Sequence, residues 1–444
     1  MTNVFSDEVP VYNKVINAVA GIFILLMILI SIGNLFNDTL ASYIPGIFAW
    51  GAAFLLLSRL SLLMAVQSSI LIVLSLACLF IAYQRQADFD FIAVLYSNIS
   101  FITLLASISF LKLIASPNDN SINVKYHGKK ALISTIIGAH LFSAVINLSA
   151  IFLVAERLKS SHAISQTLLM LLTRAFSSAA FWSPFFAAMG IALIYSPEAS
   201  LMVLMMQGIP LAVIALGFTY WEINRNNAQE VALFIGYPLN IKALFVPAVL
   251  VVGVLSLHHV KPTLPIVLIV AALSVLLTVI LCFIKYSANN AVTKLYKHTT
   301  QALPNMSSEL ILFLSAGLLS FSVNTLLQTF DSSLPVNEFT YIFAVGLLFL
   351  MIILSIFGVH PVVSISIVGV WIAPLNAEPN ALGLVFLCAW GIGMIISPLS
   401  GMNVTLANHY ALTYQQIIKW HAKYALLMFI ASSLLLLFVM KGQW

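Results

Sequence analysis

Apolar runs long enough to cross a membrane recur along this chain from about residue 15 to residue 440. A transmembrane helix needs roughly 20 mostly apolar residues to cross about 30 Å of hydrocarbon. Of the 444 residues 61% are hydrophobic and only 7% are charged, a balance that soluble domains do not have. Since backbone polar groups in hydrocarbon must be satisfied within each segment, the sequence predicts an all-α polytopic membrane protein without a soluble catalytic module.

The apolar runs divide into about 11 predicted transmembrane helices and two segments, 131–157 and 339–374, that are too polar at their centres for ordinary spans. Histidine and small polar residues lie near their middles: His140, Ser143 and Asn147 in the first, His360 and Ser364 in the second. We expect each segment to form a re-entrant hairpin, which enters and leaves on one side of the membrane, with its histidine at the tip.

Two Ser-Pro pairs interrupt other long runs, Ser183-Pro184 within 165–195 and Ser397-Pro398 within 379–408. Proline lacks an amide donor and clashes with the preceding turn, so each pair predicts a broken helix. One interpretation is a kink whose freed carbonyls are satisfied by neighbouring serines. The occurrence of two matching breaks favours the other interpretation, a transport site lined by interrupted backbone.

The basic residues predict the orientation of the chain in the membrane. With the N-terminus in the cytoplasm, only Arg85, Lys261 and Lys441 of the 19 lysines and arginines fall outside, and Arg174 alone falls within the bilayer. This asymmetry follows the positive-inside rule and predicts a C-terminus outside the membrane. Arg174 is either a functional group or a side chain that extends to the cytoplasmic surface.

This predicted topology gives the two hairpins opposite orientations in the membrane, which is typical of an inverted-topology repeat. Each repeat has helices, a hairpin with Gly-x-His, a broken helix and a closing helix. The predicted organisation is an extra N-terminal helix at 1–44, a first repeat at 45–220, a cytoplasmic connector at 221–241 and a second repeat at 242–444.

The half-helix ends at a break in a membrane helix can bind ions and charged substrates. Amide-bearing N-termini favour anionic groups, and freed carbonyls coordinate sodium. The candidate ligands beside those of the hairpins are Ser183, Pro184, Ser397, Pro398, Ser400, Gly401, Asn403 and Thr405, with sodium expected at Ser397, Gly401 and Asn403. The hairpin histidines either carry a proton or donate to a carboxylate, or they bond a backbone carbonyl that fixes the hairpin tip.

The order of these pieces resembles the ion transporter superfamily, most closely the large membrane subunit of the tripartite ATP-independent periplasmic (TRAP) transporters. The second broken helix of that family carries Thr-Pro-Pro-x-Gly-x-Asn, to which Ile396–Asn403 is similar. Trp182–Phe186, leading to Tyr195, is a looser match to its first broken helix. Each family Pro-Pro is Ser-Pro here, and the segment around His360 resembles the divalent anion/sodium symporters. The resemblance covers most of residues 45–440.

The resemblance implies an elevator-type secondary active transporter of a small, carboxylate-like organic anion, coupled to sodium or protons. It implies no cofactor beyond Na⁺ as coupling ion. The expected partners are the lipid bilayer, the substrate, a second copy in a homodimer, and the small membrane subunit or periplasmic binding protein of TRAP systems; no nucleic acid is expected. A membrane-embedded enzyme acting on lipid-linked sugars and a lipid flippase are the alternatives, but the short loops and few carboxylates argue against an enzyme.

Overall fold

The structure, a computed structural model, describes residues 11–36, 41–114, 126–146, 151, 154–155, 158, 165–236, 245–330, 338–375, 377–410 and 412–441. In these residues eight helices are long and apolar enough to cross a membrane, and four shorter apolar helices accompany them. The prediction of an all-α polytopic membrane protein is therefore confirmed. Each predicted span has a helix or a broken helix as its counterpart.

The α-helices are α1 (Val11–Gly33), α2 (Ile44–Leu56), α3 (Leu62–Gln84), α4 (Ala93–Tyr96), α5 (Ile99–Ser109), α6 (Gly128–Ile146), α7 (Gln166–Ala179), α8 (Ala187–Tyr195), α9 (Leu201–Asn226), α10 (Ala228–Leu233), α11 (Phe245–Val260), α12 (Ile266–Lys285), α13 (Ala288–Lys297), α14 (Ser307–Leu327), α15 (Tyr341–Ile356), α16 (Pro361–Ile372), α17 (Pro379–Ile396), α18 (Gly401–Tyr410) and α19 (Tyr414–Val439). In the described part of the chain two short strands, β1 (Tyr126–His127) and β2 (Ile235–Gly236), pair in antiparallel fashion.

The helices form two compact units, and each unit is built from two segments that lie far apart in the sequence. The first comprises Met1–Ile114 and Ala271–Asp331, and the second comprises Ala115–Val270 and Ser332–Trp444. The compact units therefore differ from the two predicted sequence repeats. In the first unit α3 packs along α14 and α1 packs along α2.

The second unit contains both predicted broken helices and both predicted hairpins. Its centre is α17, whose residues from Ala381 to Ile396 are all buried, and which packs on α15, α8 and α19. Gly391 of α17 lies so close to Phe181 that a Cβ there would stand 2.8 Å from the phenyl ring. Small residues allow this close approach of helices where lipid offers no hydrophobic driving force.

Two helices extend beyond the spans that apolar length predicts, which are about 199–220 and 420–440. Helix α9 continues to Asn226 because Glu222, which makes the sequence look like a polar connector, is buried and ion-paired within the unit. Helix α19 begins at Tyr414 because Thr413 and Gln416 form a capping box, in which each side chain bonds the backbone N–H of the other residue. Such a box satisfies two amides that a helix start otherwise leaves unpaired.

The second predicted hairpin is a helix–turn–helix of α15 and α16, with His360 as the N-cap residue of α16. Gly358 in the turn has a φ of +93°, a conformation that glycine adopts without strain. In the first hairpin, His140 lies inside α6, six residues before its end at Ile146. The prediction that His140 lies at a tip is wrong, because α6 continues past this residue to Ile146. Asn147 and most of the return arm lie outside the described residues.

Candidate functional site

The two helix breaks have the same local structure. The serine N–H donates to the carbonyl four residues earlier, at N···O distances of 2.9 Å for Ser183 and 2.8 Å for Ser397. The serine Oγ accepts from the N–H two residues later, at 3.2 Å in the first break and 3.4 Å in the second. The serine carbonyl accepts from the N–H three residues later, at 3.2 and 3.4 Å. The Ser-Pro pairs therefore produce matching interruptions in the two halves.

The first break is held between α6 and α9. Ser183 is buried, and its Oγ donates to the Ala144 carbonyl of α6 at 2.5 Å. On the other side, Gly208 of α9 faces the backbone of the break: a Cβ at this glycine would stand 1.9 Å from the Phe181 carbonyl oxygen. The polar groups of Ser183 thus have protein partners, and the break is clamped by two neighbouring helices.

The second break is organised by Asn403, which is fully buried in α18. Its Nδ2 donates to the carbonyls of Ser397, Ile395 and Met394 at 2.8, 3.1 and 3.4 Å. Three carbonyls around this atom fit only the amino side of the amide, since a carbonyl oxygen cannot donate. The Oδ1 atom therefore points the other way, and it is buried without a hydrogen-bond donor among the described residues.

This buried Oδ1 is the atom at the second break that best fits a cation ligand. A buried acceptor without a donor costs free energy, which a hard cation can recover by accepting its lone pair. Ser397 supplies a hydroxyl oxygen on the same break. Gly401 has open space beside its Cα, because a Cβ there would meet no atom within 4 Å.

Other predicted ligands have bonds of their own. Thr405 is exposed, and its Oγ1 donates to the Gly401 carbonyl at 2.6 Å along the same helix. The Ser400 Oγ accepts from the Asn403 N–H at 3.3 Å and so caps α18. Ser364 is buried and donates to the Pro361 carbonyl at 3.0 Å. Ser397 Oγ likewise accepts from the Leu399 N–H, so these contacts leave Asn403 Oδ1 as the best candidate for a cation ligand.

The hairpin histidines bond to protein groups. His140 contacts the Ala175 carbonyl, Ser178 Oγ and the Trp182 indole. His360 Nδ1 accepts from the Val362 N–H at 3.2 Å and caps α16. Ser143 of α6 is also buried. These contacts favour the interpretation in which the histidines fix the hairpins.

Arg174 does not extend to the membrane surface, because it is fully buried. Its Nη1 pairs with Glu222 Oε2 at 2.5 Å, and its Nη2 donates to the Trp420 carbonyl at 2.8 Å. Its Nε donates to His421 Nδ1 at 3.4 Å, and its guanidinium carbon stands 5.0 Å from the centroid of the Tyr424 ring. The acidic Glu222 beside an apolar run was the one sequence signal that could have identified this network.

Comparison with known proteins assigns no family to this chain. No family model matches the chain, and no curated protein matches it. Among solved structures, similarity was found to the YdaH transporter of Alcanivorax borkumensis, described as having an unusual topology. The similarity spans 86% of this chain and 85% of that chain, at 12% sequence identity and a TM-score of 0.39.

Proposed function

We propose that this chain is a secondary active transporter of a small, carboxylate-like organic anion, coupled to sodium or protons, in a bacterial inner membrane. The observation that carries the proposal is the identical set of three backbone and hydroxyl bonds at Ser183 and Ser397. Paired broken helices in two sequence halves are the arrangement that secondary transporters use to bind substrates and ions.

Each part of the breaks has a role in this proposal. The N-termini of α8 and α18 present amide dipoles that favour the anionic group of the substrate. Asn403 Oδ1 and Ser397 Oγ would hold a sodium ion at the second break, where the ion would offset the negative charge of the substrate. The Asn403 amino group keeps the freed carbonyls of α17 satisfied, so the break persists in hydrocarbon.

The proposed mechanism is of the elevator type, which needs two separately compact bodies. The chain forms two such units, each drawn from both halves of the sequence. Both breaks belong to the second unit, so the proposal assigns substrate and ion binding to that unit. A homodimer, a small membrane subunit and a periplasmic binding protein are proposed partners on the family resemblance alone.

The Asn403→Ala variant tests the sodium site. A ligand that binds only the folded state stabilises it by mass action, by about 2.7 kcal/mol at roughly 100 times its Kd. We expect purified wild-type protein to melt at a higher temperature in NaCl than in KCl. The variant loses this difference because it loses the buried oxygen. It also melts earlier in both salts, since the carbonyls of α17 lose their donor, so the readout is the sodium-minus-potassium difference.

Thr405→Ala is the matched control, because Thr405 lies on the same helix but is exposed and bonds only to Gly401 among the described residues. It should keep the full sodium-specific increment. A sodium-specific increment that survives in Asn403→Ala would remove Asn403 from the proposed site. An identical melting midpoint of the wild type in sodium and potassium would argue for proton coupling.

A further inference from the structure

His140 is locked in one tautomer by its neighbours. Trp182 Nε1 donates to His140 Nε2 at 3.0 Å, and an indole nitrogen is a donor only. His140 Nε2 must therefore be unprotonated, and the proton of the neutral ring lies on Nδ1. At Nδ1 the Ser178 Oγ and the Ala175 carbonyl stand at 2.8 and 3.1 Å and accept it. Ser178 in turn donates to the same carbonyl at 2.9 Å, which makes the network self-consistent.

These contacts bind the hairpin helix α6 to the entrance of the first break. Ala175, Ser178 and Trp182 are spaced three and four residues apart, so they lie along one face of α7 and its extension. One turn further along α6, Ala144 accepts from Ser183, the residue after Trp182. The backbone that begins the break is thus held by two successive turns of α6.

The second half repeats this pairing of histidine with tryptophan. His360 of the α15–α16 turn lies against Trp390 of α17, with ring centroids 5.4 Å apart and an interplanar angle of 84°. In the first half, the His140 and Trp182 centroids are 5.9 Å apart. The same turn meets the second break directly, because a Cβ at Gly358 would stand 2.8 Å from the Leu399 side chain. Since His360 Nδ1 accepts from the Val362 N–H, its ring proton lies on Nε2.

We infer that His140–Trp182 and His360–Trp390 are equivalent positioning contacts, each of which holds a hairpin against the broken helix of its own half. His140 is fixed as the Nδ1–H tautomer and His360 as the Nε2–H tautomer. The inference rests on the proposed function only in the claim that these contacts shape a transport site. The tautomers themselves depend on the contacts alone.

Nuclear magnetic resonance of ¹⁵N-histidine-labelled full-length protein in lipid nanodiscs tests the tautomers. The chain has nine histidines, so the two signals are assigned by their loss in His140→Gln and His360→Gln. We expect the first to show Nδ1 protonated and the second Nε2 protonated. Trp182→Phe keeps an aromatic ring but removes the donor to Nε2, so it should shift the His140 Nε2 resonance, while the Ala175 carbonyl keeps the ring proton on Nδ1. Trp390→Phe is the matched control and should leave the His140 signal unchanged.

A His140 signal with Nε2 protonated, or one indifferent to Trp182→Phe, would overturn the inference. Its functional part is tested in proteoliposomes with the carboxylate that the wild type takes up fastest. There Trp182→Phe should slow uptake roughly tenfold, the scale of one lost hydrogen bond, while its melting midpoint falls by no more than about 2–4 °C. If Trp182→Phe left uptake unchanged, the His140–Trp182 contact would have only a structural role, and the claim that it shapes a transport site would be contradicted. If the tautomers hold but the wild type takes up nothing, the proposed function fails instead.

Discussion

Arg174→Met is expected to lower the free energy of unfolding by about 3–5 kcal/mol, the usual cost of removing one partner of a buried ion pair. The side chain is fully buried, and its loss leaves the Glu222 carboxylate without its cation. The Trp420 carbonyl and His421 Nδ1 lose a donor at the same time. Because these partners lie on α9 and α19, the variant weakens the attachment of α7, the helix that leads into the first break. Equilibrium unfolding in sodium dodecyl sulfate measures the change.

Two companion variants separate the charge pair from general packing. Glu222→Gln should destabilise the protein by a similar amount, since it leaves the guanidinium buried without an anion. The double variant should lower the free energy of unfolding by less than the sum of the single variants, because neither charge is then buried without its partner. Arg225→Ala, on the exposed side of the same helix α9, should change the stability by less than about 0.5 kcal/mol. Additive effects of the two charge variants would contradict a direct ion pair.

Gly208→Ala is expected to destabilise the second unit by about 1–3 kcal/mol or more, as overpacking does in tightly packed sites. The added Cβ would stand 1.9 Å from the Phe181 carbonyl oxygen and 3.0 Å from the Trp182 Cα. Both of these atoms are backbone, so no side-chain rotation can relieve the overlap. The first break must move, and proposed transport should fall together with stability. Melting in detergent and uptake in proteoliposomes measure the two effects.

Gly217→Ala provides a matched control in the same helix, because a Cβ there would meet no atom within 4 Å. Alanine favours a helix over glycine by up to about 1 kcal/mol, so this variant should be neutral or slightly stabilising. If both variants behaved alike, the close approach of α9 to the first break would be contradicted.

The sequence predicted the features that depend on local chemistry. Proline cannot donate a backbone hydrogen bond wherever it lies, so Ser183-Pro184 and Ser397-Pro398 identified both breaks. The Gly-x-His pattern likewise located the second hairpin turn at Gly358 and His360. Apolar length alone was sufficient to predict an all-α membrane protein.

The features that the sequence did not reveal depend on contacts between distant residues. The sequence left two interpretations of Arg174 open, because its partners Glu222 and His421 lie 48 and 247 residues away in the chain. His140 was expected at a hairpin tip, because composition shows a polar segment but not the residue at which its helix ends. Asn403 was predicted as a cation ligand, yet only the structure shows that its amino group caps α17 while its oxygen has no donor among the described residues. The division into two compact units likewise depends on contacts between distant residues, since each unit includes residues from both halves of the chain.

Uptake by purified protein in liposomes tests the central proposal most directly. The experiment offers labelled acetate, lactate, succinate and a sulfonate under an inward sodium gradient, an inward proton gradient or neither. We predict that the wild type accumulates at least one of these anions above equilibrium when an ion gradient is present. Asn403→Ala should abolish any sodium-driven part, whereas Thr405→Ala should keep it. Failure to accumulate any of these anions under either gradient, by protein that melts cooperatively, would contradict the account.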